Sequence, residues 1–405
     1  MEQDVKNIRI EEYNYPLPDE RIAKYPVSPR DTSKLLIYED GNIREDQYKH
    51  LLKYLPRDSF LLFNQTRVVQ ARLKFPKNET TTIEVFCLEP AERMDIQQAM
   101  QAKSPLRYKC LVGGARKWKT GKLSIELEDG TALYAEKIDR DNGSFIIEFS
   151  WDSDCHFADI LEKAGKTPLP PYLNRDAEDA DKSTYQTLFA KQNGSVAAPT
   201  AGLHFTEALL QELKDCGVEE AFITLHVGAG TFRPVSTETV AEHDMHYEEF
   251  FIDKKLMDSL LDNLDRPIIP VGTTSLRALE SIYWLGVKIL KSGIPDDSYV
   301  ITQWEPYSGE KLPSPLEALQ AVAYEMSIKN LEILTAKTQL IIAPGYEHQI
   351  CSGLLTNFHQ PKSTLLLLVS SFVGPKWKDI YNYALDHDFR FLSYGDGCLI
   401  LKPKK

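Results

Sequence analysis

The chain is poor in the residues that build covalent or metal cross-links. It has six cysteines in 405 residues, at 87, 110, 155, 216, 351 and 398, and no Cys-x-x-Cys pair. Zinc-ribbon and thioredoxin-type spacings are therefore excluded, and reduced thiols in a cytoplasmic setting are expected. Long hydrophobic runs are also missing. The longest, Leu365–Val369, falls far short of the ~20 residues that a membrane span needs, so no membrane partner is expected. The opening MEQDVKNIRIEEYN is polar and acidic, and does not read as a signal peptide. Positive charge is not in excess: the formal net charge is −12. That argues against a protein that coats nucleic acid indiscriminately and leaves room for a local basic site. The remaining composition is that of a globular protein, with 42% hydrophobic and 26% charged residues.

Two patterns divide the chain. Between 67 and 151, six short runs (VQARLKF, TTIEVFCLE, RYKCLV, KLSIELED, ALYAEKID, SFIIEFSW) read as strands. Leu123, Ile125 and Leu127 alternate with Ser124, Glu126 and Glu128, the period of a half-buried strand. Asp129-Gly130 and Asn142-Gly143 are hairpin turns by composition. The spacing predicts a six-stranded antiparallel β-barrel domain, interrupted by 90–106. Elsewhere strands and helices alternate. DSFLLFN, AFITLHV, RPIIPVG and QLIIAPG read as strands; 205–217, 274–286, 316–334 and 363–374 read as helices. The expected architecture is an α/β domain with parallel pairing, formed by 1–66 and 152–405, with the barrel inserted at 67–151.

Four of the nine histidines fall within 204–246: His204, His226, His243 and His246. Imidazole titrates near neutral pH, so such a cluster among small-residue loops points to proton transfer. Thr200, Gly202 and His204 precede a helix, where free N–H groups bind anions. LHVGAGTFRP places Gly228, Gly230, Thr231 and Arg233 after a strand, half of a dinucleotide fingerprint without its third glycine. On a strand, His246 and Glu248 share a face, as a base and its orienter would. Metal binding by this group is disfavoured, because no fourth ligand is near. Thr273, Thr274 and Ser275 open a helix with Arg277 one turn in, a setting for a carboxylate or phosphate. Asn357, His359, Lys362, Tyr394 and Asp396 lie in polar clusters between apolar segments. The stretch 103–122 holds seven Lys or Arg and no acid, with Tyr108 and Trp118 interleaved. Lys109, Arg116, Lys117 and Lys119 are its candidate RNA-phosphate contacts, with the aromatics available for stacking.

Taken together, YPLPDERIAKYPVSPRDTSKLL (15–36), FNQTRVVQARL (63–73), TPLPPYLNR (167–175), YQTLFAKQNGSVAAPTAGLHFTEALL (185–210), TLHVGAGTFRPV (224–235), EHDMHYE (242–248), VGTTSLRALES (271–281), GLLTNFHQPKSTLLLLVSSFVG (353–374) and FRFLSYGDGCLI (389–400) are distinctive. In this order they resemble the S-adenosylmethionine:tRNA ribosyltransferase-isomerase family of queuosine biosynthesis. The chain departs from the pattern at Gln65 and Ser352, and carries inserts at 90–106 and 286–336.

The resemblance implies an α/β domain with an inserted β-barrel, no metal, and S-adenosylmethionine as ribosyl donor. The acceptor is the 7-aminomethyl-7-deazaguanine of a tRNA anticodon. Epoxyqueuosine forms, and adenine and methionine leave. Two other readings stand beside it: a paralogue that uses S-adenosylmethionine with another acceptor, and a non-catalytic RNA-binding protein.

The roles follow from the chemistry such a reaction needs. The sulfonium acidifies carbon 5′, so His246 with Glu248, or His204, could act as base. His226 or Asp396 could protonate departing adenine. Arg277 with Thr273, Thr274 and Ser275 would hold the methionine carboxylate. Thr200, Gly228, Gly230, Thr231, Arg233, Asn357, His359 and Tyr394 complete the expected substrate site.

Overall fold

Every residue of Phe60–Asn64 is buried, as in a strand covered on both faces. In the computed structural model, which describes residues 5–92, 94–141, 143–228, 235, 237–294, 298–307 and 312–402, it lies inside a six-stranded sheet. The order is Ile268–Pro270, Phe60–Asn64, Glu219–His226, Glu248–Asp253, Ile333–Thr338, Val300–Ile301. The first three strands are mutually parallel, and Glu248–Asp253 runs antiparallel to both its neighbours. A four-stranded sheet (Gly353–Asn357, Gly397–Leu401, Lys34–Glu39, Asn42–Gln47) joins it through a parallel bridge between Val271 and Leu355. The architecture is mixed α/β, not the parallel layer expected, because Glu248–Asp253 runs against both of its neighbours in the sheet.

Helix Thr273–Ser292 is buried from Thr273 to Val287 and packs on Pro315–Ile328. Gly286 makes the crossing possible: a Cβ there would lie 2.0 Å from the Ala318 carbonyl oxygen.

The six runs between 67 and 151 all contribute strands to one antiparallel sheet, and a seventh, Gly165–Lys166, is added at its edge. The sheet curls until Leu123–Glu126 lies against Arg72–Asn78, with no backbone ladder between them among the described residues. Its core takes Phe75, Val85, Trp118, Leu133 and Phe149, together with Phe157, Ile160 and Leu161 of helix Phe157–Ala164. The packing thus runs past residue 151, where the boundary was expected. Gly130 and Gly143 have the positive φ of tight turns; Asn142 lies outside the described residues.

Other expectations are corrected. QLIIAPG is not a strand: the strand is Ile333–Thr338, just before it, which pairs with Glu248–Asp253. The helix expected over 316–334 ends at Ile328, with Asn330 at φ +52°. The interruption at 90–106 contains helix Ile96–Met100, closed by a capping box between Asp95 and Gln98. Among the described residues no helix is long and apolar enough to cross a membrane.

Candidate active site

The C-terminal ends of parallel strands leave unpaired loops at one edge, where α/β folds place ligands. Here the loops after Glu219–His226, Ile268–Pro270 and Gly353–Asn357 line one pocket of about 100 Å³, together with 197–201 and Leu392–Ser393. Asn64 ties the strand ends together. Its Nδ2 donates to the Leu225 carbonyl at 2.9 Å, and its Oδ1 accepts the Thr66 and Leu225 N–H groups at 3.1 Å each. Gly272, at φ +95°, turns the chain into helix Thr273–Ser292. Gly272, Thr273 and Thr274 line the pocket. The helix N-terminus therefore opens onto it and favours a carboxylate.

His359 is the imidazole on this wall. Its Nε2 is 2.9 Å from Thr356 Oγ1, its backbone N–H donates to the Tyr381 hydroxyl at 3.1 Å, and burial pushes its pKa down to about 3. Thr200 and Asn357 also line the pocket.

The other histidines are placed differently. His204 is stacked on Tyr48 at 4.1 Å, with Nδ1 2.7 Å from Ser33 Oγ and Nε2 3.3 Å from Asn357 Oδ1. Both nitrogens are engaged behind the pocket wall, and burial pushes the pKa down to about 3. His226 is held between Thr66 Oγ1 at 2.8 Å and the Gln97 amide at 2.9 Å. Gln97 also gives a 2.8 Å hydrogen bond to the Asn193 carbonyl. The amide nitrogen can only donate, so His226 Nε2 must be an acceptor. Burial again takes the pKa to about 3, so this imidazole has no proton to give adenine at Nε2. His246 is exposed and precedes strand Glu248–Asp253, so it shares no strand face with Glu248. Glu248 instead pairs with Arg277, both buried. Arg277 is thereby taken from the carboxylate-binding role, and burial lowers its pKa to about 10.

Asp396 is a buried fastener. It accepts from the Lys34 N–H at 3.0 Å and the Arg390 N–H at 2.7 Å, which rules against the role of an acid poised at adenine. Ser275 donates to the Val271 carbonyl at 2.8 Å, inside the helix. Gly202 packs against Phe189 in a 3-10 turn, Thr200–His204, that leads into helix Glu207–Asp215. Tyr394 donates to Asp181 at 3.0 Å. Lys362 is paired with Glu11 at 2.6 Å. Gly230, Thr231 and Arg233 lie outside the described residues.

A second cleft of about 510 Å³ adjoins the first and shares Val227 with it. It runs between the strands of the curled sheet and the α/β sheet. Gly228, Glu89, Glu92, Asp95, Glu249 and Lys337 line it. Glu249 is buried, accepts the Ile96 N–H at 3.0 Å, and has its pKa raised by burial. Sequence reasoning missed Glu249, Gln97, Tyr172 and Tyr185. A signal for Glu249 was present: two consecutive acids in EEFFID cannot both face water on a covered strand.

Of the expected RNA contacts, Lys109 is paired with Glu89 at 3.2 Å and with Asp141 at 2.9 Å. Arg116, Lys117 and Lys119 are exposed. Tyr108 and Trp118 are buried, so neither is available for stacking. Among the described residues, Glu280, His348 and Cys351 bring possible cation ligands within 4.8 Å of one another. The Glu280 oxygens already accept from Tyr346 and from the N–H groups of Gln349, Ile350 and Cys351, which saturates their lone pairs.

The family model for queuosine biosynthesis proteins matches residues 10–400. The S-adenosylmethionine:tRNA ribosyltransferase-isomerase of Halothermothrix orenii is 36% identical, over 97% of this chain and 100% of its own length. The protein of that name from a Sulfurihydrogenibium species is also 36% identical, over 97% and 100%. A crystal structure of the S-adenosylmethionine tRNA ribosyltransferase of Thermotoga maritima is 26% identical, covering 96% of this chain and 100% of that one, with a TM-score of 0.46. The segments that bear the motifs thus lie within a match spanning nearly the whole chain, and the chain belongs to the queuosine biosynthesis protein family.

Proposed function

We propose that this chain is an S-adenosylmethionine:tRNA ribosyltransferase-isomerase. It moves the ribosyl part of S-adenosylmethionine onto the 7-aminomethyl-7-deazaguanine of a tRNA anticodon and isomerises it, giving epoxyqueuosine, adenine and methionine. The observation that carries this reading, beside family membership, is the convergence of the motif-bearing loops on one pocket with a helix N-terminus in its wall.

S-Adenosylmethionine binds in this pocket, with its carboxylate at Thr273 and Thr274. His359 replaces His246 as the base. Its Nε2 lies 2.9 Å from Thr356 Oγ1; in the tautomer that donates from Nε2 to that hydroxyl, Nδ1 carries the lone pair and can accept a proton. The sulfonium acidifies the carbon 5′ protons that this base would take. The acidic second cleft receives the aminomethyl base, whose protonated amine is matched by Glu249 and Glu89. Arg116, Lys117 and Lys119 meet tRNA phosphates.

Mass spectrometry of anticodon nucleosides, after incubation with S-adenosylmethionine and tRNA carrying the precursor base, tests the reading. Epoxyqueuosine is expected. Cofactor turnover without a tRNA product would mean another acceptor, and binding without turnover would mean an RNA-binding protein.

A further inference from the structure

A buried hydroxyl without a hydrogen-bond partner costs stability, and proteins keep few of them. Six buried side-chain atoms among the described residues have no partner, and only one of the six, the Tyr185 hydroxyl, belongs to a residue that lines the strand-end pocket. Tyr185 is 0% exposed. Its ring is fixed edge-on to Tyr394, with centroids 5.8 Å apart, so the hydroxyl has little freedom to seek a partner elsewhere. Ser393 and the Ala198 backbone lie beside it, close enough to draw its pKa down slightly but outside hydrogen-bond geometry, and Tyr172 is near; all three residues line the same pocket. Ser393 Oγ is already engaged with the Tyr172 hydroxyl at 2.6 Å. Burial raises the phenol pKa further, so the group keeps its proton and can donate.

The two walls of the pocket differ. Helix N–H groups at Thr273 and Thr274 suit a negative charge, while the Tyr172–Tyr185–Ser393 wall carries no charge and presents flat rings. We propose that the Tyr185 hydroxyl is held unpaired for the ligand, and donates its hydrogen bond to the nucleoside part of S-adenosylmethionine. This rests on the functional reading above and adds to it the residue that reads the uncharged end of the donor. It also explains an otherwise unfavourable arrangement, because the ligand supplies the acceptor that the fold withholds.

The test is Tyr185→Phe, which keeps the ring and removes the oxygen. Calorimetry would measure binding of S-adenosylmethionine and of 5′-methylthioadenosine, which has the nucleoside but not the amino acid arm. Affinity for both is expected to fall by a similar factor, about three- to tenfold. The melting temperature of the unliganded variant is expected to stay level or rise, since an unpartnered group has been removed. A structural hydroxyl would behave oppositely: a lower unliganded melting temperature would overturn the proposal, as would unchanged affinity. Weakened S-adenosylmethionine binding with unchanged methylthioadenosine binding would also overturn it, moving the contact to the amino acid arm. A wild-type protein that binds neither compound would overturn the parent reading and this one with it. Wild-type binding to which Tyr185→Phe is indifferent would overturn this one alone.

Discussion

At the scale of the residue, burial decides what a charged group is free to do. Arg277 stands one turn into a helix that opens on the pocket, and from sequence it was expected to hold a carboxylate. Its side chain is 9% exposed and paired with Glu248, itself 6% exposed. Removing one member of a buried pair leaves the other charged and desolvated, at a cost of about 3–5 kcal/mol. Arg277→Ala is therefore expected to lose about that much stability in urea unfolding; full stability combined with lost S-adenosylmethionine affinity would return Arg277 to ligand binding. His359 is the contrasting case, an imidazole on the pocket wall. Removal of a general base typically costs about 10²–10⁴-fold in rate. His359→Ala should lower turnover by that order and leave S-adenosylmethionine affinity little changed. The assignment fails if His359→Ala keeps its turnover while His246→Ala loses it.

Elements were legible where local pattern and burial agree. Six β runs were found because their alternation is also their burial, as in Leu106, Tyr108 and Cys110 facing the core with Arg107 between them. That same alternation already placed Tyr108 inside, so the stacking role went against a signal in the sequence. Trp118 lay in a turn with no period to read. The apolar run of QLIIAPG is buried without being a strand, since burial and backbone pairing are separate matters: Leu340 and Ala343 pack into cores while Ile333–Thr338 makes the ladder. Arg116, Lys117 and Lys119 sit together on the turn after strand Leu106–Gly113 and are exposed. Reversing the three to Glu is expected to weaken tRNA binding and to flatten its salt dependence, by about 0.7–0.9 in slope for each phosphate that is no longer neutralised. S-Adenosylmethionine binding should not change. An unaltered tRNA affinity and salt slope would make the turn a solvated face.

At the scale of the whole molecule, the site is made by contacts that no local pattern contains. His204 meets Ser33 and Asn357, Asp396 fastens Lys34, and Gln97 of the insert reaches His226. The histidine cluster was visible in the sequence; that His204 and His226 are buried while His246 is exposed was not, because that depends on which distant segment covers each ring. This burial has a consequence for the pH dependence of folding. His204 and His226 are 4% and 2% exposed, and burial lowers both pKa values to about 3. Unfolded, each titrates near pH 6.5. Between those limits the unfolded chain binds more protons than the folded one, so stability is full above about pH 6.5 and is lost as the pH falls towards 3. Each histidine contributes a slope of at most about 1.4 kcal/mol per pH unit in that window, and the pair about twice that. Urea unfolding at pH 7, 6 and 5 should show the decline, and His226→Gln should make it shallower by about half of the pair's share. A wild-type stability that is flat from pH 7 to 5 would mean that both rings take up protons within the fold, and the locked acceptor assigned to His226 Nε2 would have to be abandoned.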